Sequence, residues 1–341
     1  YLSGGDVSGV DVVDYEGAVS QPSGDVDTDR GGDDLAVQMY TSGTTGDPKG
    51  VLLTHRNILT ALESFTKTAP RLDPDNTLLL VLPLFHIYGL NALLTTHLYS
   101  GAVVVLQATP EPRPVLDSLD EHEVDTFPAV PAILRKVHNV YSRNPEEYDI
   151  DSLETVGSGA APLSDEVKDE ITEDWDVVMG EGWAMTETAG AGAVLRQGTD
   201  LWKPSGCVGK PMHNVELRLV DPDTGDVVVS HRVLDATTPP PDERYVGAEG
   251  EIAVRGPQVF DGYHELPEKT NEIFDDDGWF YTGDIARVDE DRFLWMVDRA
   301  DDMMVVGGEN VYPAEVEDEL FKHPDIAAAA VVAVPHEIKG E

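Results

Sequence analysis

The sequence predicts an α/β fold. It reads as a doubly wound α/β subdomain over residues 35–200, a β-rich subdomain over 201–299 and, from residue 300, the start of a small α+β domain. Three observations predict it. Short continuous apolar runs at 35–40, 78–83, 102–106 and 124–128 lack the alternation of a half-exposed strand, which suits strands buried on both faces of a parallel sheet. Each run is followed by a longer stretch with helical signals, so strands and helices alternate. After Trp202 the texture changes to strand, turn, strand.

Residues 1–34 are rich in Gly and Asp with little periodicity and read as a loop or the remnant of an earlier subdomain. Pro131 ahead of Ile133, Leu134, Val137 and Tyr141 predicts a helix opening on proline, whose missing N–H costs nothing in a first turn. Ser164 before Asp165 and Glu166 predicts an N-cap with acids placed favourably in the first turn. Strands are expected at 215–220, 227–230, 251–255 and 280–288, the last returning as 293–297 across a turn at 289–292. The stretch 237–243, with Pro239, Pro240 and Pro241, reads as an exposed loop. Gly307-Gly308 predicts a turn, 313–321 a helix and 326–334 a further apolar run. With Tyr at position 1 and a mid-domain texture at Glu341, the chain reads as a fragment at both ends.

Charge excludes several classes of function. Among 341 residues, 65 are Asp or Glu against 23 Lys or Arg, a formal net charge of −42. The acids are spread along the chain, so clustered phosphate contacts of the kind nucleic-acid binding needs are not expected. Such an excess costs self-repulsion that salt screens, which predicts a salt-rich, halophilic cytoplasm. At 41% hydrophobic residues the chain has ample material for a core. A single cysteine, Cys207, rules out an internal disulfide and fits a reducing compartment. No apolar run reaches the ~18 residues of a spanning helix, so no transmembrane segment is expected. Nothing in the sequence speaks to oligomeric state.

The densest chemical signal is the segment from Tyr40 to Gly50, YTSGTTGDPKG. Thr41, Ser42, Gly43, Thr44, Thr45, Gly46 and Lys49 can bring backbone N–H groups, hydroxyls and one cation to a polyphosphate. It lacks the spacing of a Walker loop. Read alone, such a turn is more often only a loop, and His86 in LPLFHIYG, between Phe85 and Tyr88, reads alone as a core histidine.

The full string is similar to the acyl-adenylate-forming family of acyl-CoA synthetases, whose members bind pyrophosphate with this segment. The resemblance runs from about Asp34 to Glu341 and rests on ordered motifs. It implies a large adenylating domain followed by a small C-terminal one. LPLFHIYG resembles the segment whose histidine, here His86, sits by the acyl and α-phosphate site. SGAAPL, with Gly159, Ala160 and Ala161, resembles the strip along one face of adenine. GEGWAMTE resembles the adenine-stacking and metal-binding segment: it implies Glu181, Gly182 and Trp183 at the nucleotide or acyl group, Thr186 at phosphate and Glu187 on Mg²⁺. Ala184 stands where the family usually has Gly, which changes the pocket wall. GEIAVRG is a structural strand motif without chemistry.

The resemblance also implies that Asp284 in YTGD takes the ribose hydroxyls, Arg299 in DRADD the ribose or phosphate, and Asp301 the hinge about which the small domain turns. Gly307 and Gly308 would face the pantetheine tunnel of coenzyme A. The family's second, catalytic lysine lies beyond Glu341, and Lys339 belongs to an earlier segment. The expected activity is ATP-dependent carboxylate–CoA ligation through acyl-AMP on a medium-to-long-chain or aryl acid, the apolar Phe85, Ile87, Tyr88 and Leu90 pointing to an apolar tail. Two alternatives stand beside it: transfer to a carrier-protein thiol, and a silent nucleotide-binding module.

Overall fold

The computed structural model describes residues 29–41, 48–68, 72–159, 163–195, 203–204, 206–234, 244–299, 304–306 and 309–311, with single positions at 313, 316, 320, 331, 332 and 334. By its contacts the chain divides into Tyr1–Gly32 and Asp33–Glu341, and the described strands and helices belong to the second unit. In chain order the first strands are β1 (Leu35–Thr41), β2 (Lys49–Thr54), β3 (Thr77–Leu80), β4 (Val103–Leu106), β5 (Thr126–Ala129), β6 (Thr155–Ser158), β7 (Val178–Trp183) and β8 (Ala193–Val194). There follow β9 (Cys207–Pro211), β10 (Glu216–Val220), β11 (Val227–Val229), β12 (Glu249–Arg255), β13 (Gly262–Tyr263), β14 (Phe280–Val288), β15 (Leu294–Arg299), β16 (Met304–Val306) and β17 (Glu309–Val311).

Twelve of these form one mixed sheet in the order β11-β10-β12-β14-β15-β9-β8-β7-β6-β5-β3-β4. From β7 to β4 the pairing is parallel; from β7 to β11 it is antiparallel. The α/β and β-rich textures of the sequence are thus two halves of a single sheet. Helices α1 (His55–Thr68), α2 (Thr96–Ser100), α3 (Pro112–Glu121), α4 (Pro131–Tyr141) and α5 (Asp165–Trp175) lie between the parallel strands or ahead of them in sequence. Pro131 opens α4 as predicted. Ser164 occupies the N-cap of α5 with extended backbone, but its hydroxyl makes no capping bond; its carbonyl takes the Lys168 N–H at 3.0 Å.

The first apolar run departs from expectation. Residues 35–41 do not enter the parallel sheet; β1 pairs antiparallel with β2, and β2 with β13, in a separate three-stranded sheet. Leu35 is 54% exposed, so the run is not buried on both faces. Strand β3 does meet that expectation. Leu78 and Leu80 pack in one apolar cluster with Leu93, while Leu79 packs on the other face with Phe127, Val156 and Ile171. Burial on both faces is what a continuous apolar run encodes. Thr237–Glu243, Lys339 and most of 326–334 lie outside the described residues.

Candidate active site

In a parallel sheet, ligands gather beyond the carboxyl ends of the strands. Here Ala129, Ser158 and Glu181 are aligned on β5, β6 and β7, and the chain then passes through Ala184 into a short helical turn, Thr186–Thr188. Between this edge and the π-helix Tyr88–Thr95 lies a cavity of about 270 Å³. His86, Gly159, Gly182, Trp183 and Ala184 line one end; Asn76, His97, Asp125 and Thr126 line the other. Gly192 is required behind Trp183, since a Cβ there would stand 2.2 Å from the Trp183 carbonyl oxygen.

Around Trp183 the fold assembles a set of polar side chains. The indole N–H donates to Asp284 Oδ2 at 2.8 Å, and Arg299 Nε stands 3.6 Å from Asp284 Oδ1. Tyr263 donates its hydroxyl to Glu187 Oε1 at 2.9 Å, and Lys49 Nζ lies 5.1 Å from the Tyr263 ring centroid. Thr41 and Lys49 are register partners on β1 and β2, which fixes both ends of the connecting loop. Asn57 locks the frame: its side-chain N–H groups donate to the Pro257 and Val259 carbonyls, and the next residue's N–H, from Phe260, donates to the Glu187 carbonyl at 2.8 Å.

Burial dominates the electrostatics. Glu187 is 5% exposed, and desolvation raises its pKa above the ordinary carboxylate range against the opposing pull of its own backbone N–H, the Tyr263 hydroxyl and Lys49. Asp284 is likewise raised by desolvation, with the Trp183 N–H and Arg299 opposing. Two carboxylates are therefore held in low dielectric, Asp284 adding to the cost of ionising Glu187, and among the described residues no side-chain cation pairs with Glu187 at ion-pair distance. A divalent cation fits that deficit of positive charge. No group of three or more His, Cys, Asp or Glu side chains able to hold a metal occurs among the described residues, so an ion at Glu187 would take its remaining ligands from phosphate and water, as Mg²⁺ prefers.

His86 is exposed at the cavity mouth. Its Nδ1 accepts the Tyr88 backbone N–H at 3.1 Å, and desolvation lowers its pKa below the ordinary imidazole value. The neutral ring then carries its proton on Nε2 and can donate there. Phe85 is 85% exposed and does not line the cavity, nor does Leu90; Ile87 and Tyr88 do. Cys207 is a core residue whose thiol burial pushes up to about 11, so it is no nucleophile.

Glu181 behaves differently from its neighbours in the same motif. Its Oε1 accepts from Lys168 Nζ at 2.7 Å inside the protein, the lysine being 1% exposed, and Lys168 also donates to the Lys203 carbonyl at 2.8 Å. The residue expected at the nucleotide thus spends its charge on an internal ion pair. Sequence reasoning missed Lys168, Tyr263 and Asn57. Lys168 was within reach, because it shares the 168, 171, 175 stripe of α5 with Ile171 and Trp175 and so sits on the apolar face. Ser42, Gly43, Thr44, Thr45, Gly46, Ala160, Ala161, Asp301, Gly307 and Gly308 lie outside the described residues. Thr186 is half-buried beside Glu187.

A family model described as AMP-binding enzyme matches residues 6–264. The chain belongs to the AMP-binding enzyme family. The family member from Arabidopsis thaliana named 4-coumarate–CoA ligase 1 is 37% identical over 318 residues, spanning 91% of this chain and 53% of its own length. ATP-bound MatB from Rhodopseudomonas palustris superposes with a TM-score of 0.79 at 32% identity, over 92% of this chain and 57% of that one. O-succinylbenzoate coenzyme A synthetase (MenE) from Bacillus subtilis, in complex with ATP and magnesium ion, gives 0.80 at 31% identity over 97% and 64%. The chain therefore spans about half the length of the curated relatives it matches. The mixed sheet and its helices are the adenylating-domain fold of these family members. No helix among the described residues is long and apolar enough to cross a membrane.

Proposed function

We propose that this AMP-binding family member is an ATP-dependent carboxylate–CoA ligase, forming acyl-AMP and then an acyl-CoA thioester. The observation that carries the reading is the convergence of Asp284, Glu187 and Lys49 beside Trp183, the one of the four that also lines the cavity, whose other walls include the apolar Ile87, Leu93, Pro128, Val194 and Met212. A carboxylate oxygen of the acid attacks the α-phosphorus of ATP, and the bond to pyrophosphate breaks. The CoA sulfur then attacks the acyl carbon and AMP leaves.

Most of the protein's part is positioning and charge. Asp284, oriented by the Trp183 N–H, accepts the ribose hydroxyls, and Arg299 lies beside it for ribose or phosphate. Lys49 at the end of β2 faces the pyrophosphate with the loop 41–46, and His86 Nε2–H donates to the acid's carboxylate or the α-phosphate. Glu187, with Thr186 on the phosphate side, would hold Mg²⁺, whose charge neutralises phosphate oxygens. The family resemblance gives Asp301 the hinge role and Gly307 and Gly308 a role toward the pantetheine arm. The apolar middle of the cavity favours a medium-to-long-chain or aryl acid over acetate, and Ala184 on its wall sets the width.

Acid-dependent ATP–pyrophosphate exchange by the complete protein tests the reading, with acids from acetate to palmitate and cinnamate-like acids. Exchange with apolar-tailed acids, followed by AMP release on adding CoA, is the expected result. No exchange with any acid, or ADP and phosphate as products, would contradict it.

A further inference from the structure

The far end of the cavity is built of hydrogen-bond acceptors. His97, 3% exposed, stands in α2 just after the π-helix and uses Nδ1 at 2.7 Å from the Leu93 carbonyl oxygen. A carbonyl only accepts, so Nδ1 carries the proton, and desolvation keeps the ring neutral by lowering its pKa despite Asp125 nearby. Nε2 is then a lone pair, and this buried atom has no hydrogen-bond partner among the described residues. Asn76, 9% exposed, donates its amide N–H groups to Asp125 and to Thr126 Oγ1, which identifies Oδ1 as its acceptor; that atom too is buried without a partner among the described residues. Asp125 completes the set, accepting from the Thr77 N–H at 2.6 Å and the Thr126 hydroxyl at 2.9 Å. His97, Asn76 and Asp125 all line the cavity.

Buried acceptors left unpaired cost free energy that a donor placed between them recovers. The two histidines of the cavity are opposite tautomers. His86 offers an N–H at the mouth, and His97 a lone pair at the far end. We infer that His97, with Asn76, is a specificity-determining residue that accepts a hydrogen bond from an O–H or N–H group at the end of the acyl tail remote from the carboxylate. This rests on the cavity being the acyl site. The same acceptors, with the Asp125 carboxylate, disfavour a tail ending in a second carboxylate, and a purely hydrocarbon tail leaves them unpaired.

The test is calorimetric binding to the complete protein of matched acids, a straight-chain series from hexanoate to dodecanoate and 3-phenylpropanoate. Each is compared with its counterpart bearing a terminal hydroxyl (4-hydroxyphenyl for the aryl acid) and with one bearing a terminal carboxyl. At the length that fits, the hydroxy acid should bind tighter than its hydrocarbon parent by about tenfold or more, and the diacid more weakly than the hydroxy acid. His97→Leu should abolish the hydroxyl preference while leaving the affinity for the parent acid unchanged or improved. His97→Gln, which keeps an acceptor, should retain part of it. Equal binding of hydroxy and parent acids by the wild-type protein would overturn the inference without any variant having to fold, as would a hydroxyl preference surviving in His97→Leu or a preference for the diacid. Acyl-CoA formation is followed in parallel: a hydroxyl preference in binding without thioester product would sink the ligase reading and leave this inference standing.

Discussion

Glu181 and Glu187 are six positions apart, belong to one motif and are both buried, yet the fold treats their charges in opposite ways. Glu181 meets Lys168 at 2.7 Å in the interior. Glu187 meets a tyrosine hydroxyl, with Lys49 over that ring at 5.1 Å from its centroid and Asp284 adding charge of its own sign. A carboxylate compensated inside the protein has no need of a ligand. One desolvated without a partner cation is arranged to receive positive charge from outside. The motif alone does not separate them, because both are glutamates of one short segment with small or hydroxyl-bearing neighbours.

The largest expected effect comes from breaking the compensated pair. Lys168→Met leaves Glu181 buried without its lysine and should cost about 3–5 kcal/mol of folding stability. The double variant Lys168→Met/Glu181→Met, which removes both charges, should recover most of it. Chemical denaturation of the three proteins checks this, and a single variant within 1 kcal/mol or so of wild type would show that water reaches Glu181.

A smaller effect separates buried from surface charge. With the net charge at −42, the melting temperature of the wild-type protein should rise from low to molar KCl as a Debye length of about 3 Å removes repulsion among exposed acids. The decrement caused by Lys168→Met should stay nearly constant across that range, because an interior pair is poorly screened. A flat melting temperature would argue against a salt-adapted surface, and a decrement that vanishes with salt would place the pair at the surface.

Much of this was legible in the sequence where the signal is local. The runs at 78–83 and 124–128 encode the burial of β3 and β5 through their composition, and Pro131 marks a helix start through its own geometry. Ordered motifs placed Trp183, Glu187, Asp284, Lys49 and Arg299, which the fold brings together. What failed depends on distance along the chain. The run at 35–41 is apolar but pairs with β2 and not with the parallel strands, and run composition does not specify a partner. Tyr263 reaches Glu187 across 76 positions, and Asn57 reaches Val259 across 202; neither leaves a periodic trace. His97 carries no sequence signal of its own; its free acceptor follows only from the Nδ1 contact with the Leu93 carbonyl.

Among the described residues Glu187 is buried without a partner cation, for the sake of chemistry and at some expense to the fold. Burial raises its pKa, so the folded protein holds this proton over a pH range where the unfolded chain has released it. Its favourable contribution is full below the ordinary carboxylate range and is lost as pH rises through the raised value. Glu187→Gln keeps shape and an acceptor for Tyr263 but removes the charge. The deciding measurement is the folding stability of wild type and Glu187→Gln from mildly acidic to neutral pH, taken with acid-dependent ATP–pyrophosphate exchange at saturating magnesium. The account predicts that Glu187→Gln is as stable as wild type or more so at neutral pH, with the stability gap closing as pH falls. Its exchange rate should be lower by about tenfold or more, some 1.4 kcal/mol in the barrier. A variant that loses stability at neutral pH while exchanging at the wild-type rate would contradict it, and would make Glu187 a structural residue like Glu181.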